Sequence, residues 1–296
     1  MEKDLKVIMD EINIDMYGVC SNKVSDDYKK RVSSIIKKGY NCEFIKDDYL
    51  STMDTNLYMK DCDGVIVIGV PYNKSNIKLK NNEAIFSSSS WGLDYHKVVK
   101  EKLDLIIKKL SYKYSNYKFM SLVDNHKLDE RYFAYKAGIG KYGSNGLIIN
   151  EKYGANIFLG IILTNYTFCD KIIKTKTSYD NRYEKVCPGK CISEEGINYN
   201  KCVSYLTQKK HLTINEESKI CDKIYGCDMC TNVCPSKNIN NPVFDIDDNV
   251  KINLDSEFNL SNKEFKKKYG NYSGSWRGKN IIKRNIELIK KNKEKR

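Results

Sequence analysis

No apolar run in the 296 residues reaches the roughly 18 needed to span a bilayer as a helix. No membrane-spanning helix is therefore expected. No secretory leader is expected at the N-terminus either. Met1-Glu2-Lys3-Asp4-Leu5-Lys6 is charged and runs into an ordinary amphipathic segment, without an apolar h-region or a small-residue cleavage site. The reducing cytoplasm is the expected compartment. There, 11 cysteines read as thiolate ligands plus small buried hydrophobes rather than as a disulfide framework. No repeat of solenoid length recurs, which removes the stacked-array folds. A second Cys-x2-Cys knuckle is also missing, because Cys227 and Cys230 form the single one in the chain. Zinc ribbons usually pair two such knuckles.

What stands there instead is Gly226-Cys227-Asp228-Met229-Cys230-Thr231-Asn232-Val233-Cys234-Pro235. Its Cys-x2-Cys-x3-Cys-Pro spacing is the tail of a bacterial-ferredoxin ligand run, in which thiolates hold an iron–sulfur cluster and the last cysteine serves a second one. Electron transfer is the implied chemistry. Residues Cys169 to Pro235 carry eight of the 11 cysteines and little hydrophobic periodicity. They read as a separate module, and Cys187-Pro188 beside Cys234-Pro235 suggests the duplication of two-cluster ferredoxins. The expected division is a catalytic domain over residues 1–168, the cysteine module over 169–240, and a basic segment over 241–296 that packs on the core.

The net charge of +13 points toward nucleic acid, since clustered Lys and Arg neutralise phosphates and release counterions. Nearly all of it is Lys in a chain crowded with Asn, Ile and Tyr, a bias that coding composition alone produces. The dense run from Lys279 to Arg296 is either a solvated helix face or an RNA-docking surface.

Asp63 to Pro71 is a short apolar run closed by proline, the pattern of a mid-sheet strand. From the N-cap candidate Asp94, the residues Tyr95, Val98, Val99, Leu103, Ile106, Ile107 and Leu110 recur at helical spacing. Phe119 to Val123 is a further strand that delivers Asp124 at its end. Leu147–Asn150 and Ile157–Thr164 are further strands. Between them, Gly138-x-Gly140-x-x-Gly143 matches the dinucleotide fingerprint letter by letter. It follows a helix and precedes a strand, the reverse of the context that motif requires, so it is read as a tight turn or a close backbone approach. Asp124 alone is either a turn cap or a carboxylic acid presented by a rigid sheet.

Several stretches together resemble epoxyqueuosine reductases: Trp91-Gly92-Leu93-Asp94-Tyr95-His96-Lys97-Val98-Val99, Ala137-Gly138-Ile139-Gly140, Glu151-Lys152-Tyr153-Gly154 with Phe158-Leu159-Gly160, Lys201-Cys202-Val203-Ser204-Tyr205-Leu206-Thr207, and Ile224-Tyr225-Gly226-Cys227. They fall in order over most of the chain. The resemblance implies an α+β fold: a nitroreductase-like cobalamin domain, similar to that of reductive dehalogenases, with a ferredoxin-like 4Fe–4S module. It implies reduction of epoxyqueuosine to queuosine in tRNA, with cobalamin held base-off beside the clusters and an electron donor such as ferredoxin or flavodoxin. Asp124 matches the family's proton-donating acid, expected to have a raised pKa against an apolar corrin. Cobalamin-lining positions map onto Ile148, Leu159, Ile162 and Ser204, with His96 as a candidate beside the site. The crossed ligand pattern assigns Cys187, Cys202, Cys227 and Cys230 to one cluster and Cys234 to the other.

The chain departs from that pattern in three places. The Cys-x2-Cys-x2-Cys run that precedes the Cys187 position in the family falls here on Thr177, Asp180 and Tyr183. Cys169, Cys191 and Cys221 are the available substitutes, whereas Cys20, Cys42 and Cys62 are read as packing residues. The family's Asp-Thr-Gly turn has become Asp124-Asn125-His126. The chain also ends soon after Trp276-Arg277-Gly278, without the helical-repeat extension of longer members, so tRNA is expected to rest on a basic surface that includes Lys279, Lys283, Arg284, Lys290 and Lys291. A cobalamin-dependent reductase of another substrate, and an iron–sulfur protein that binds RNA or a partner without turnover, are the two alternatives.

Overall fold

The structure is a computed structural model and describes residues 1–45, 48–74, 77–170, 178–237 and 250–295. Helix α1 (Glu2–Glu11) leads into strand β1 (Met16–Ser21) and helix α2 (Asp26–Lys37). Strands β2 (Gly64–Pro71) and β3 (Glu83–Phe86), helix α3 (Tyr95–Lys113) and strand β4 (Phe119–Leu122) follow. Next come α4 (Glu130–Lys136), the short β5 (Lys141–Tyr142) and β6 (Ile148–Ile149), and β7 (Ile157–Thr164). The cysteine module holds α5 (Arg182–Val186), β8 (Ile192–Ser193), β9 (Gly196–Ile197), α6 (Val203–Leu206), α7 (Ile214–Glu217), β10 (Lys223–Tyr225) and α8 (Met229–Asn232). Strand β11 (Lys251–Asn253) and helices α9 (Asn262–Tyr269) and α10 (Lys279–Glu294) complete the order.

The main sheet runs β1-β2-β7-β4 with every neighbour antiparallel. β2 lies between two partners, as its uninterrupted apolar run predicts, and Pro71 ends it opposite Ile157. Both faces are covered, so alternate residues feed two cores. Val65, Val67, Leu159, Ile161 and Leu163 pack with α2 and α4, whereas Ile66, Ile68, Val70, Phe158 and Ile162 pack with α1 and α3. Burying each such side chain stabilises the fold by about 1.5–3 kcal/mol.

Helix α3 begins where the sequence places it. The Asp94 carboxylate accepts from His96 N at 3.1 Å, and Val99, Leu103, Ile106 and Leu110 form the buried stripe. The helix lies very close to β7 at Gly160, where an added β-carbon would sit 2.5 Å from Val99 Cγ1. The glycine run proves to be a helix end. α4 stops at Ala137, Gly138 takes φ +80°, and its N–H and that of Ile139 donate back to Tyr135 and Ala134.

A second core joins distant segments. β3 pairs in parallel with β10 and antiparallel with β11, and α10 packs on this small sheet through Ile282, Ile286 and Ile289. Phe86 and Trp91, from inside the N-terminal stretch, belong to it with Phe265 and Tyr269. A smaller cluster gathers Ala155, Tyr183, Cys191, Ile192 and Cys234, with Cys187, Cys202 and Cys230 against them. Among the described residues, no helix is long and apolar enough to cross a membrane.

Candidate active site and cysteine centre

Strand β4 ends at Leu122, and Asp124 follows with φ +50°. That left-handed conformation disfavours most side chains and is tolerated by aspartate. The turn is fixed from behind. Glu130 Oε1 accepts from Asp124 N at 3.1 Å and pairs with His126 Nε2 at 3.2 Å, while Leu128 N donates to His126 Nδ1. With Nδ1 accepting, the network assigns the ring proton to Nε2. His126 is nearly buried, with 2% of its side chain exposed. Burial pushes the Glu130 carboxyl above its usual value despite the imidazole beside it. The altered residues after Asp124 thus form a rigid turn of their own.

Asp124 Oδ2 accepts from Tyr95 Oη at 2.9 Å and from His96 Nε2 at 3.1 Å. The other ring nitrogen of His96, Nδ1, lies 2.6 Å from Asp94 Oδ1. An imidazole between two carboxylates donates from both nitrogens only as the cation. Desolvation lowers the His96 pKa, but its bonds to Asp124 and Asp94 outweigh that and raise it to about 9. Asp124 responds in the opposite sense. Desolvation raises it, the bonds from His96 and Tyr95 lower it further, and the net shift is downward. The expectation of a raised Asp124 pKa is therefore corrected: the side chain is 58% exposed, its shift is downward, and that of His96 is upward.

Tyr95 is an inner member of a ladder of stacked rings. It stacks on His96 at 4.1 Å and on Phe158 at 4.2 Å, the latter within 4° of parallel, and Phe158 stacks on Tyr72 at 4.4 Å. Tyr72 lies within electrostatic range of Cys230 and Cys234, which contribute to its raised pKa after desolvation. The ladder runs from Tyr72 to His96, beside Asp124.

Of the mapped cobalamin positions, Ile148 and Leu159 lie in the core on the α4 face, and Ile162 lies fully buried on the α3 face. The three side chains do not form one wall. Positions 159 and 162 are three apart on a strand, so their side chains face opposite ways. Ser204 is half-buried on α6, just past Cys202, and its carbonyl accepts from Thr207 Oγ1 and Gln208 Nε2.

Cys187 caps α5 and Cys202 caps α6, while Cys227 follows β10 and Cys230 lies in α8. Cys191 joins them, its Sγ 3.4 Å from that of Cys187. A bond from the Cys191 thiol, assisted by backbone N–H groups, lowers Cys187 to about 6, and the same thiol lowers Cys202 to about 7. Cys191, the donor, is pushed up. Burial raises Cys227 and brings Cys230 to about 12, with the charge of Cys202 adding to both. Thiols drawn toward the thiolate are the ligand type a soft iron centre takes, while among the described residues no group of three or more such side chains is gathered as a metal site.

Asp228, between the two knuckle cysteines, holds their loop. Its carboxylate accepts from Ser88 N at 3.0 Å, Ser88 Oγ at 2.9 Å and Lys223 Nζ at 2.6 Å. Gly226 takes φ +72° there, and a β-carbon would lie 2.1 Å from Ser87 Oγ. Cys234 faces Tyr183, whose hydroxyl donates to its Sγ at 3.6 Å. Thr177, another position of the missing ligand run, lies outside the described residues. Sequence reasoning missed Asp228, the pairing of Asp94 with His96, and the place of Cys191. The tripeptide Asp94-Tyr95-His96 at a helix start was the available signal for the second of these.

Residues 53–125 match the family described as "Epoxyqueuosine reductase QueG, DUF1730", and residues 184–237 match the "4Fe-4S double cluster binding domain". The epoxyqueuosine reductase of Lactococcus garvieae is 33% identical over 97% of this chain and 85% of its own length. That of Bacillus subtilis is 32% identical over 97% of this chain and 78% of its own. A crystal structure of epoxyqueuosine reductase with an epoxyqueuosine-modified tRNA-Tyr stem loop superposes with a TM-score of 0.89 at 30% identity, covering 99% of this chain and 81% of that one. In a Bacillus subtilis structure with a TM-score of 0.89, at 29% identity and covering 99% of this chain and 82% of that one, an aspartate-bearing catalytic loop is swung out of the active site. With this coverage and identity, the chain belongs to the epoxyqueuosine reductase family, as an iron–sulfur oxidoreductase with the α+β fold of those enzymes.

Proposed function

We propose that the chain reduces epoxyqueuosine to queuosine in tRNA, with Asp124 as proton donor, cobalamin as cofactor, and a 4Fe–4S cluster on Cys187, Cys202, Cys227 and Cys230 as electron source. The observation that carries this reading is the Asp94–His96–Asp124 chain, with Tyr95, at the end of β4. Asp124, beside the rings of Tyr95 and Phe158, would face the cofactor. When bound, cobalamin supplies a reduced cobalt nucleophile for the epoxide carbon.

The protein's part is proton management. Converting the epoxide to an alkene takes two electrons and two protons and releases the oxygen as water. With these partners Asp124 is a carboxylate and His96 an imidazolium. Covering them with cofactor and substrate excludes water, and transfer of the proton from His96 Nε2 to Asp124 then neutralises both charges at once. Asp124 can then protonate the leaving oxygen while Tyr95 holds Oδ2 in place. A single-turnover assay with Asp124→Asn tests this. The variant should bind and reduce cobalamin yet lose turnover by about 10²- to 10⁴-fold, the usual scale of general acid catalysis. Full activity would remove Asp124 from the chemistry.

One observation favours a second reading, a cobalamin-dependent reductase of another substrate: the turn after Asp124 is locked by His126 and Glu130. Cobalamin binding without turnover of epoxyqueuosine tRNA would select it. The leading reading takes tRNA as partner, a one-electron donor of the ferredoxin or flavodoxin class, and the cytoplasm as compartment.

A further inference from the structure

We infer that this chain has given up the second cluster of the double-cluster pattern, and that Tyr183 and Cys234 occupy its place as a hydrogen-bonded pair. The inference rests on the reading above that the other four cysteines hold one cluster. A cluster using Cys234 needs three further thiolates on the same side of that sulfur. What faces it is a phenol. Tyr183 is 4% exposed, stands at one of the vacated ligand positions, and donates its hydroxyl to Cys234 Sγ at 3.6 Å. Cys234 is itself 2% exposed and packs on Gly154, where a β-carbon would lie 3.4 Å from its sulfur. A protonated phenol already spent as a donor is a poor substitute for a soft thiolate on iron.

The neighbouring position is spent as well. Asp180 turns its carboxylate to Arg182 at 2.7 Å, and its N–H donates to Ser144 Oγ. The spare cysteines go elsewhere. Cys191 lies with the first ligand set, 3.4 Å from Cys187 Sγ. Cys221 donates to the Ser218 carbonyl, beside Ile220 of the second core. Cys169 is exposed and adjoins Asp170, which binds Ser21 at the end of β1. Among the described residues, none of these three faces Cys234.

The consequence is an electron path with one station. Forming the alkene and water consumes two electrons, and one 4Fe–4S cluster carries one at a time. A one-electron donor therefore has to reload the cluster within each turnover.

The test is iron analysis of the anaerobically reconstituted full chain, before cobalamin is added. One cluster gives about four irons per chain. Reductive titration should take up a single electron equivalent. Cys234→Ser should leave iron content and cluster absorbance unchanged, whereas Cys227→Ser should abolish both. A count near eight, or a Cys234→Ser protein that loses half its iron, would overturn the inference while leaving the first cluster in place. A count near zero would sink the cluster reading itself. Should Cys234→Ser not fold, the wild-type count decides alone, and Tyr183→Phe, which keeps the ring and removes the hydrogen bond, should match it.

Discussion

At His96 one imidazolium is shared between two carboxylates, and its titration governs whether Asp124 has a proton to receive. Because the folded pKa is raised, from 6.5 to about 9, the pairing is fully present below the unfolded value and is lost as pH rises through about 9. The single-turnover rate should accordingly hold through neutral pH and fall as pH rises toward and past 9. His96→Gln should move that fall to lower pH while leaving cobalamin affinity unchanged. A rate profile flat across this range in the wild type would show that His96 does not feed the acid. Asp124 itself was legible as a strand-end acid. Its protonation state was not, because the partners that set it, Tyr95 and His96, come from a helix start that only the folded chain brings to the end of β4.

At the scale of elements, the cluster loop depends on a contact between segments 140 residues apart in sequence, from Asp228 to Ser88. Asp228→Ala would leave Lys223 Nζ, now 2.6 Å from that carboxylate with the lysine side chain 14% exposed, without its partner. Removing one member of a buried ion pair costs about 3–5 kcal/mol. Chemical denaturation should show a loss of that order, and iron should leave the variant faster under a chelator. Unchanged stability would mean that the loop is held by its ligands alone. The elements that sequence reasoning placed well are β2 and β7, which are long apolar runs, and α3, which has helical periodicity and an aspartate cap. The small sheet of β3, β10 and β11 was hidden, since strands of three or four residues carry little pattern and their partners lie far along the chain. The glycine run was correctly refused as a dinucleotide loop on context, and Gly138 is the end of α4.

For the whole molecule, the charge of +13 is spread less simply than the terminal run suggests. Arg284, expected on the RNA-facing surface, is instead structural. Its guanidinium donates to the carbonyls of Lys209 and Lys210 and to Asn285 Oδ1, so i,i+4 counting on α10 could not reveal its role. Lys279 donates to the Leu260 carbonyl, while Lys283 and Lys291 pair with Glu287 and Glu217. These contacts leave Lys290, exposed on the same helix, the more available charge. Binding to tRNA should still weaken steeply with salt, each phosphate contact adding about 0.7–0.9 to the log–log slope. Lys290→Ala should reduce the slope, whereas Arg284→Ala should chiefly destabilise the fold. Binding indifferent to salt would remove the basic surface from the account. The central claim is tested most directly by reconstituting the protein anaerobically with iron, sulfide, cobalamin and a one-electron reductant, then analysing the nucleosides of tRNA that carries epoxyqueuosine. The account predicts queuosine formed in repeated turnovers, only when cobalamin is present. Epoxyqueuosine left intact by protein that has bound both cluster and cobalamin would contradict it.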